Sequence, residues 1–350
     1  MRQTFTLMRE VSVPLLAICS GILLFTSTYY PNSPRIYGHL FGTDETASFL
    51  ANINQVQIEL ELTVNSLANN STLLSHFHAN KAESLTSKLI IEIAKNNQQL
   101  VDDLTKAVNE LKNLTSFSTS KTQQQAANQL VTDLNERLEK AKIIRISQVQ
   151  PDSNFIDKVM KFLGSMFSWT TEQPNDDQDK NSSINGIVLA ELMDSVLINY
   201  GTAHGVDFDM TNVSNMRLIG RNDNGTSMVI NNSESGDNLR MEIHLTNSSS
   251  NRITEHGDEM NNNYSLVNTA DYQSAQALVR KSLEIFNTDL RPIITNNYTD
   301  VFVTNLDEAL IHLSNSIASK DSPLDIMMIV HSEVHPNLLG AFNLELELRE

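Results

Sequence analysis

The sequence predicts a mainly α protein: one N-terminal transmembrane helix, then two helical bundles, the second carrying an inserted short β-hairpin or mobile loop. Three observations lead to this fold class. Residues 11–30 form an uncharged apolar run. Apolar residues recur every three or four positions from Ala47 onward, which is typical of amphipathic helices. This helical period is lost between residues 205 and 265.

The N-terminal apolar run has the length of a membrane-spanning helix. It reads VSVPLLAICSGILLFTSTYY over residues 11–30, and a run of about 20 apolar residues spans the hydrocarbon core of a bilayer. Arg2 and Arg9 precede the run and the next basic residue is Arg35. The positive-inside bias therefore places residues 1–10 in the cytoplasm and the rest of the chain outside. We predict a single-pass protein of the cell membrane with a retained signal-anchor.

Two other interpretations of this run stay open. A cleaved signal peptide has the same basic start and apolar middle, but it needs a small-residue cleavage site, and the segment TSTYYPNSP offers no clear one. A lipid attached to Cys19 would need a small residue before that cysteine, where the chain has Ile18. The residues favour the retained anchor.

Composition limits the chemistry of the predicted exterior. The chain has 42 Asp and Glu against 25 Lys and Arg, a formal net charge of −17, which argues against nucleic acid as a partner. The single cysteine, Cys19, lies in the apolar run, so the exterior can hold neither a disulfide nor a thiolate metal site. Ten Asn-x-Ser/Thr sequons follow the run and fit a glycosylated surface protein. Chance produces many such triplets in a chain this rich in Asn, Ser and Thr.

A first helical bundle is predicted over residues 47–169, after a linker over 31–46. Three apolar stripes with helical spacing lie in it, and an antiparallel bundle is the simplest way to bury all three. The second stripe predicts one helix from Ala82 to Leu114, with a polar step at Asn96 and Asn97. The first and third stripes pass through Leu50, Ile53, Gln57, Leu60, Val64 and Leu67, and through Ala127, Leu130, Leu134, Leu138, Ala141 and Ile144.

The segment 153–169, SNFIDKVMKFLGSMFSW, has two interpretations. We favour a fourth bundle helix that closes the first core. The alternative is an interfacial helix on the outer leaflet, with Trp169 at the level of the headgroups. The polar stretch that follows predicts a linker over 170–183, where we place the domain boundary.

A second bundle is predicted over residues 184–350, with an insertion over 205–265. In the insertion, TSMVINN and LRMEIHLTN alternate in polarity and enclose NSESGD, which predicts a short hairpin. The helical stripes outside the insertion pass through Val188, Leu192, Val196 and Tyr200; Tyr272, Ala275, Val279, Phe286 and Leu290; Leu306, Leu310, Leu313 and Ile317; and Met327, Val334, Leu338 and Phe342.

The sequence carries no recognisable catalytic signature, so we expect a non-enzymatic protein. It lacks a G-x-S-x-G elbow, an H-E-x-x-H zinc motif and a glycine-rich phosphate loop. His76 and His78 are predicted on a turn between the first two helices. Two imidazoles are too few for a stable metal site there.

A second histidine group is the candidate metal site. His331, Glu333 and His335 lie in the segment HSEVHP, and on an unbroken helix the two histidines would share a face. Pro336 is expected to kink or end that helix. The alternative is that His331 is a buried core residue and His335 caps the kink. A divalent metal at these three residues is the one cofactor that the sequence suggests.

Three segments carry a resemblance to known proteins. They are LAELMDSVLINYG at 189–201, ADYQSAQAL at 270–278 and DIMMIVHSEVHPNL at 325–338. Together they resemble uncharacterised membrane-anchored surface proteins of ammonia-oxidising archaea. The first two are also similar to the helical extracellular region attached to some archaeal high-affinity iron permeases. The resemblance implies an all-helical exterior and a link to iron or another metal, although this chain has one predicted span and no R-E-x-x-E motif in it.

These features predict a membrane-anchored extracellular helical protein with a non-enzymatic binding or scaffold role at the cell surface. Its expected partners are the membrane, through the single span, and either another surface protein or a second copy of the chain. The alternative function is a metal-handling accessory protein of an uptake system for iron or another divalent cation.

Overall fold

A computed structural model describes residues 45–116, 120–149, 176–209, 217–221, 227–231, 242–245, 266–293, 300–342 and 344. This part of the chain is mainly helical, as predicted. None of its helices is both long and apolar enough to cross a membrane. The predicted tail at 1–10, the predicted anchor at 11–30 and the apolar segment at 153–169 lie outside the described residues.

The described residues of the N-terminal half form four helices: α1 (Glu45–Ala68), α2 (Thr72–Ala94), α3 (Gln98–Thr115) and α4 (Lys121–Val149). Helices α1 and α4 agree with the first and third predicted stripes. The prediction of a single long helix from Ala82 to Leu114 is wrong. Helix α2 ends at Ala94, and α3 begins at Gln98, directly after Asn97. The Asn97 side chain accepts a hydrogen bond of 3.0 Å from the backbone N–H of Leu100, which caps α3 and separates the two helices.

The turn predicted around His76 and His78 is also wrong, since both residues lie inside α2. The connection from α1 takes only residues 69–71. Asn70 adopts a left-handed backbone conformation with φ 57°, and the backbone N–H of Ser71 bonds to the carbonyl of Ser66 at 2.8 Å. This bond between residues five apart ends α1 in a short turn. Helix α2 can therefore begin at Thr72, before Ala82, the first residue of its predicted stripe.

Within the described ranges of the C-terminal half there are five helices: α5 (Asp176–Ala203), α6 (Thr269–Ile285), α7 (Asp300–Ser319), α8 (Pro323–Ile329) and α9 (His335–Phe342). A π turn (Phe286–Leu290) and a 3₁₀ turn (Arg291–Ile293) extend α6. Helix α5 starts inside the segment 170–183 that we predicted as a linker.

The last helix continues past Pro336, where a kink or an end was expected. Helix α8 passes through a π turn (Val330–Val334) into α9, of which Pro336 is the second residue. The backbone N–H of His335 bonds to the carbonyl of Val330, five residues back. This wider turn accommodates the proline ring and its missing N–H, which a regular α turn would not.

The insertion contains a four-stranded antiparallel sheet in the order β1 (Val206–Asp209), β2 (Arg217–Arg221), β3 (Ser227–Asn231) and β4 (Glu242–Leu245). The predicted hairpin is β3 with β4, in which Met228 pairs with Leu245. Strands β1 and β2 were not predicted. Strand β1 lies against the end of α5, where a Cβ on Gly201 would be 2.6 Å from the Phe208 ring and from the Val206 carbonyl oxygen. A side chain at position 201 would therefore force the strand or the helix to shift, and glycine avoids this.

One hydrophobic core contains side chains from both halves of the chain. Helix α1 contacts α2 and α4, and it also contacts α5 and α6. The described residues all belong to one compact unit. Helices on both sides of the predicted boundary therefore share a core. Its fully buried members include Leu60, Leu104, Leu134, Leu189, Leu192, Tyr200 and Phe286.

Candidate functional site

A buried charged network joins α1, α2, α5 and α6. Its ionisable members are Glu59 on α1, His78 and Lys81 on α2, and Asp271 on α6. His78 is fully buried, and Glu59 is 2% exposed. Charged side chains are seldom so buried unless they are paired, so the partners of each group decide what the network can do.

Glu59 lies at the centre of the network. Its Oε2 is 2.7 Å from His78 Nδ1, and its Oε1 accepts a hydrogen bond of 2.7 Å from Ser274 Oγ. The ammonium of Lys81 is 3.4 Å from the same Oε1. Burial raises the pKa of Glu59, but the hydrogen bond with His78 and the positive charge of Lys81 outweigh burial, so the pKa lies below its ordinary value of 4.5.

Lys81 connects α2 to both helices of the second half. Its Nζ lies 2.6 Å from Asp271 Oδ1 and donates a 3.0 Å hydrogen bond to Ser274 Oγ on α6. It also donates a hydrogen bond to Asn199 Oδ1 on α5. The second ring nitrogen of His78, Nε2, is 3.0 Å from Gln273 Oε1 on α6. Every one of these contacts links residues that are far apart in the sequence.

The network has the residue types of a nucleophilic site but not its geometry. A serine nucleophile needs a histidine beside its hydroxyl, and a carboxylate behind the histidine. Here the carboxylate of Glu59 lies between Ser274 and His78. Both Ser274 and His78 are fully buried. The arrangement can hold helices together, and it presents no activated hydroxyl to a substrate.

The predicted metal ligands lie on the π turn and the start of α9. The rings of His331 and His335 meet edge to face with centroids 5.1 Å apart. Glu333 pairs instead with a histidine of α7, since its Oε2 is 3.0 Å from His312 Nδ1 at the surface. His335 is buried, and its Nε2 lies 3.8 Å from Asp194 Oδ1 on α5.

Asp194 is a neighbour of this site that the sequence did not reveal. Burial raises its pKa well above the ordinary value of 3.8, and the nearby carboxylate of Glu191 raises it further. Glu191 in turn accepts a hydrogen bond from Ser48 on α1. Among the described residues, Asp194 Oδ1 has no hydrogen-bond partner. Its carboxyl group thus lies near a buried imidazole, beyond hydrogen-bond distance.

No group of three or more His, Cys, Asp or Glu side chains within the described ranges is arranged to hold a metal ion. The three predicted ligands are close in sequence, yet Glu333 is directed to His312 and His335 is nearest to Asp194. Metal binding at His331, Glu333 and His335 stays a prediction.

Comparisons with known proteins add no assignment. No protein-family model matches the chain, no match was found among curated proteins, and no solved structure matches it. The resemblance to archaeal surface proteins stays a prediction, and function is inferred below from the residues themselves.

Proposed function

We propose that this protein is a membrane-anchored extracellular helical protein with a non-enzymatic binding or scaffold role at the cell surface. The observation that carries the proposal is that Glu59, His78 and Lys81 contact one another and link helices. Glu59 and His78 are buried and Lys81 is partly buried. These side chains, which could serve catalysis in an open site, instead join four helices. A body tied together in this way suits the presentation of a fixed surface to a partner.

The proposed anchor is the uncharged run at 11–30. About 20 apolar residues are enough for one span, and the basic residues before the run favour a cytoplasmic N-terminus. The sequons on the far side of the run support an external location of the helical body.

The surface of the helical body supports a binding role. Several large apolar side chains are exposed on α2 and α7, which is unfavourable in water and is common where proteins associate. These side chains are Leu73, Phe77 and Ile91 on α2, and Val301, Phe302 and Ile311 on α7.

Cysteine labelling in intact cells tests the anchor and its orientation. In a Cys19→Ser background, Ser319→Cys places a thiol at an exposed position of α7, and Thr4→Cys places one in the predicted cytoplasmic tail. A membrane-impermeant maleimide should label position 319 in intact cells and position 4 only after lysis. Deleting residues 11–30 should also release the protein from carbonate-washed membranes. Labelling of position 4 alone in intact cells, or full release of the intact chain by carbonate, would contradict the proposal.

The second candidate is a metal-handling accessory role, and one observation favours it. Asp194 supplies a buried carboxyl group 3.8 Å from the His335 ring, and that ring in turn meets the ring of His331. Imidazole and carboxylate are ligands that zinc and iron accept. A divalent cation could replace the proton that burial favours on Asp194. In this version Asp194, and not Glu333, is the carboxylate ligand, and binding would require Asp194, His331 and His335 to move, because in the described structure they form no metal site.

Calorimetric titration with Zn²⁺, Mn²⁺ and Fe²⁺ tests the metal hypothesis. If metal binds, His331→Ala combined with His335→Ala should abolish the binding heat near pH 7.5, and Asp194→Asn should weaken it. Glu333→Gln is the matched control and should bind as the wild type does. Affinity should fall toward pH 6, because a protonated imidazole cannot donate a lone pair. Absence of binding heat in the wild type would reject this function.

A further inference from the structure

The side-chain amine of Lys81 contacts both an amide and a carboxylate in the buried network. Its Nζ donates a hydrogen bond to Asn199 Oδ1 on α5 and lies 2.6 Å from Asp271 Oδ1 on α6. Asn199 is 8% exposed and Asp271 is 6% exposed, so little water reaches either group. An amine that contacts a primary amide and a base has the partners needed to join two side chains by an amide bond.

The side-chain amide of Asn199 is held in one orientation. Its Nδ2 donates a hydrogen bond of 2.6 Å to the backbone carbonyl oxygen of Ser195, one turn earlier on α5. The amide oxygen is therefore the atom directed toward Lys81. The amide carbon, Cγ, is only about 1.2 Å from that oxygen. A small shift of the amine from Oδ1 to Cγ places it against the atom that a nucleophile attacks.

We propose that Lys81 and Asn199 join in an isopeptide bond, in a reaction of the chain with itself for which Asp271 is the base. Asp271 takes one proton from the ammonium, and the neutral amine attacks Cγ of Asn199. A second proton passes from Nζ to the amide nitrogen, the bond between Cγ and Nδ2 breaks, and ammonia leaves. The first proton stays on Asp271, so the positive charge of Lys81 and the negative charge of Asp271 disappear together. The reaction needs no other reactant, and the chain loses one molecule of ammonia.

A second lysine provides a comparison within the same chain. Lys142 on α4 donates hydrogen bonds to Gln57 Oε1 at 3.2 Å and to Glu139 Oε1 at 2.7 Å, so an amine, an amide and a carboxylate meet there too. The Glu139 side chain, however, is 39% exposed. Water solvates the charged form of this carboxylate, which makes it a poorer proton acceptor than a carboxylate shielded from water. We therefore expect no bond at Lys142.

The isopeptide bond ties together the two halves of the core. Lys81 and Asn199 are 118 positions apart, and this chain has one cysteine, Cys19, so no disulfide can connect the halves. A covalent link that closes a long loop stabilises a protein mainly by restricting its unfolded chain. In the linked chain Glu59 keeps its hydrogen bond with His78. This covalent role is additional to the proposed binding role and independent of it.

Peptide mapping of the full-length chain tests the bond. The folded protein is purified in detergent, then denatured, digested with trypsin and analysed by tandem mass spectrometry. The peptide that contains residue 81 should be joined to the peptide that contains residue 199, with a joint mass one ammonia below their sum. Trypsin should cleave after Lys142 but not after Lys81, because it does not recognise a lysine whose amine is part of an amide bond.

Variants separate the covalent bond from an ion pair. Lys81→Arg keeps the positive charge but has no amine to form the bond, and Asn199→Ala removes the amide, so neither chain should contain the joined peptides. Asp271→Asn removes the base and should lower the rate of linkage, followed by pulse-chase labelling, at least about tenfold. Lys142→Arg is the matched control and should be linked as the wild type is. Circular dichroism checks that each variant is folded. Separate peptides at full sequence mass in the folded wild type, or an unchanged rate with Asp271→Asn, would overturn the proposal.

Discussion

At the scale of single residues, Glu59 shows how a buried charge is tolerated in this core. Each carboxylate oxygen has a close partner, His78 on one side and Ser274 on the other. Removing one member of a buried pair leaves the other charge without compensation, which costs more than the pair itself contributes. We therefore expect that replacing any one member of the network strongly lowers the free energy of unfolding.

Glu59→Gln should lower the free energy of unfolding by about 3 kcal/mol, because His78, Lys81 and Ser274 lose their contacts with a buried carboxylate and Lys81 keeps only Asp271 as a counter-charge. Urea denaturation followed by far-UV circular dichroism measures the change. Glu61→Gln is the matched control two residues along α1, at an exposed position whose side chain accepts a long hydrogen bond of 3.5 Å from Asn65. It should change the free energy by less than about 0.5 kcal/mol. Equal effects of the two changes would show that the buried network does not stabilise the fold.

The contribution of Glu59 to the free energy of unfolding should also depend on pH. Its pKa is lower in the folded protein than its ordinary value of 4.5, so the folded state favours the ionised form. The stabilisation by Glu59 is fully present above pH 4.5, and it is lost as the pH falls through the lower pKa that Glu59 has in the folded state. The difference in thermal midpoint between wild type and Glu59→Gln should thus narrow below pH 4.5. A difference that widens on acidification would contradict the assigned direction of the pKa.

The partners of Glu59 could not be predicted from the sequence. Glu59, Thr63 and Ser66 are polar residues that follow one another at helical spacing on α1, and all three are buried. These three residues indicated that α1 has a second buried side. The residues that contact this side could not be identified from neighbouring positions in the sequence. His78 and Gln273 are 195 positions apart, and Glu59 and Ser274 are 215 apart. Such pairs depend on how distant helices pack, which periodicity does not determine.

At the scale of elements, apolar periodicity located most helices but not their ends. The stripe from Leu50 to Leu67 predicted α1 well, because burial of that stripe decides the helix. The break at Asn97 was missed, since the apolar spacing continues across it while a side-chain cap ends one helix and begins the next. The continuation through Pro336 depends on a π turn, which apolar spacing does not reveal.

The junction of α5 with β1 yields a prediction about one glycine. Gly201→Ala should destabilise the protein by about 2 kcal/mol, because the added methyl meets the Val206 carbonyl oxygen and a buried ring at 2.6 Å. Gly186→Ala, on the same helix, is the control. Its nearest neighbour is Phe342 at 3.2 Å, and the better helix propensity of alanine, about 1 kcal/mol, should offset that tighter contact. Calorimetric melting of both variants distinguishes the two sites, and equal stability at both would show that α5 and β1 are not packed closely.

At the scale of the whole molecule, the chain combines its two predicted bundles in one core. Chain length and the polar stretch at 170–183 suggested two separate cores. The contacts of α1 with α5 and α6 instead bring both halves together, and the network around Glu59 lies at this junction. Composition alone could not predict the junction, because each half has enough apolar residues for a core of its own.

Cooperative unfolding tests this central feature most directly. Leu104 on α3 and Leu310 on α7 are fully buried in opposite halves of the chain, and each change to alanine should cost roughly 2–5 kcal/mol. We expect the wild type to unfold in urea in a single transition by circular dichroism. Leu104→Ala and Leu310→Ala should each move that whole transition to lower urea. Two transitions, with each variant shifting a different one, would show that the halves are independent bundles and would contradict the shared core.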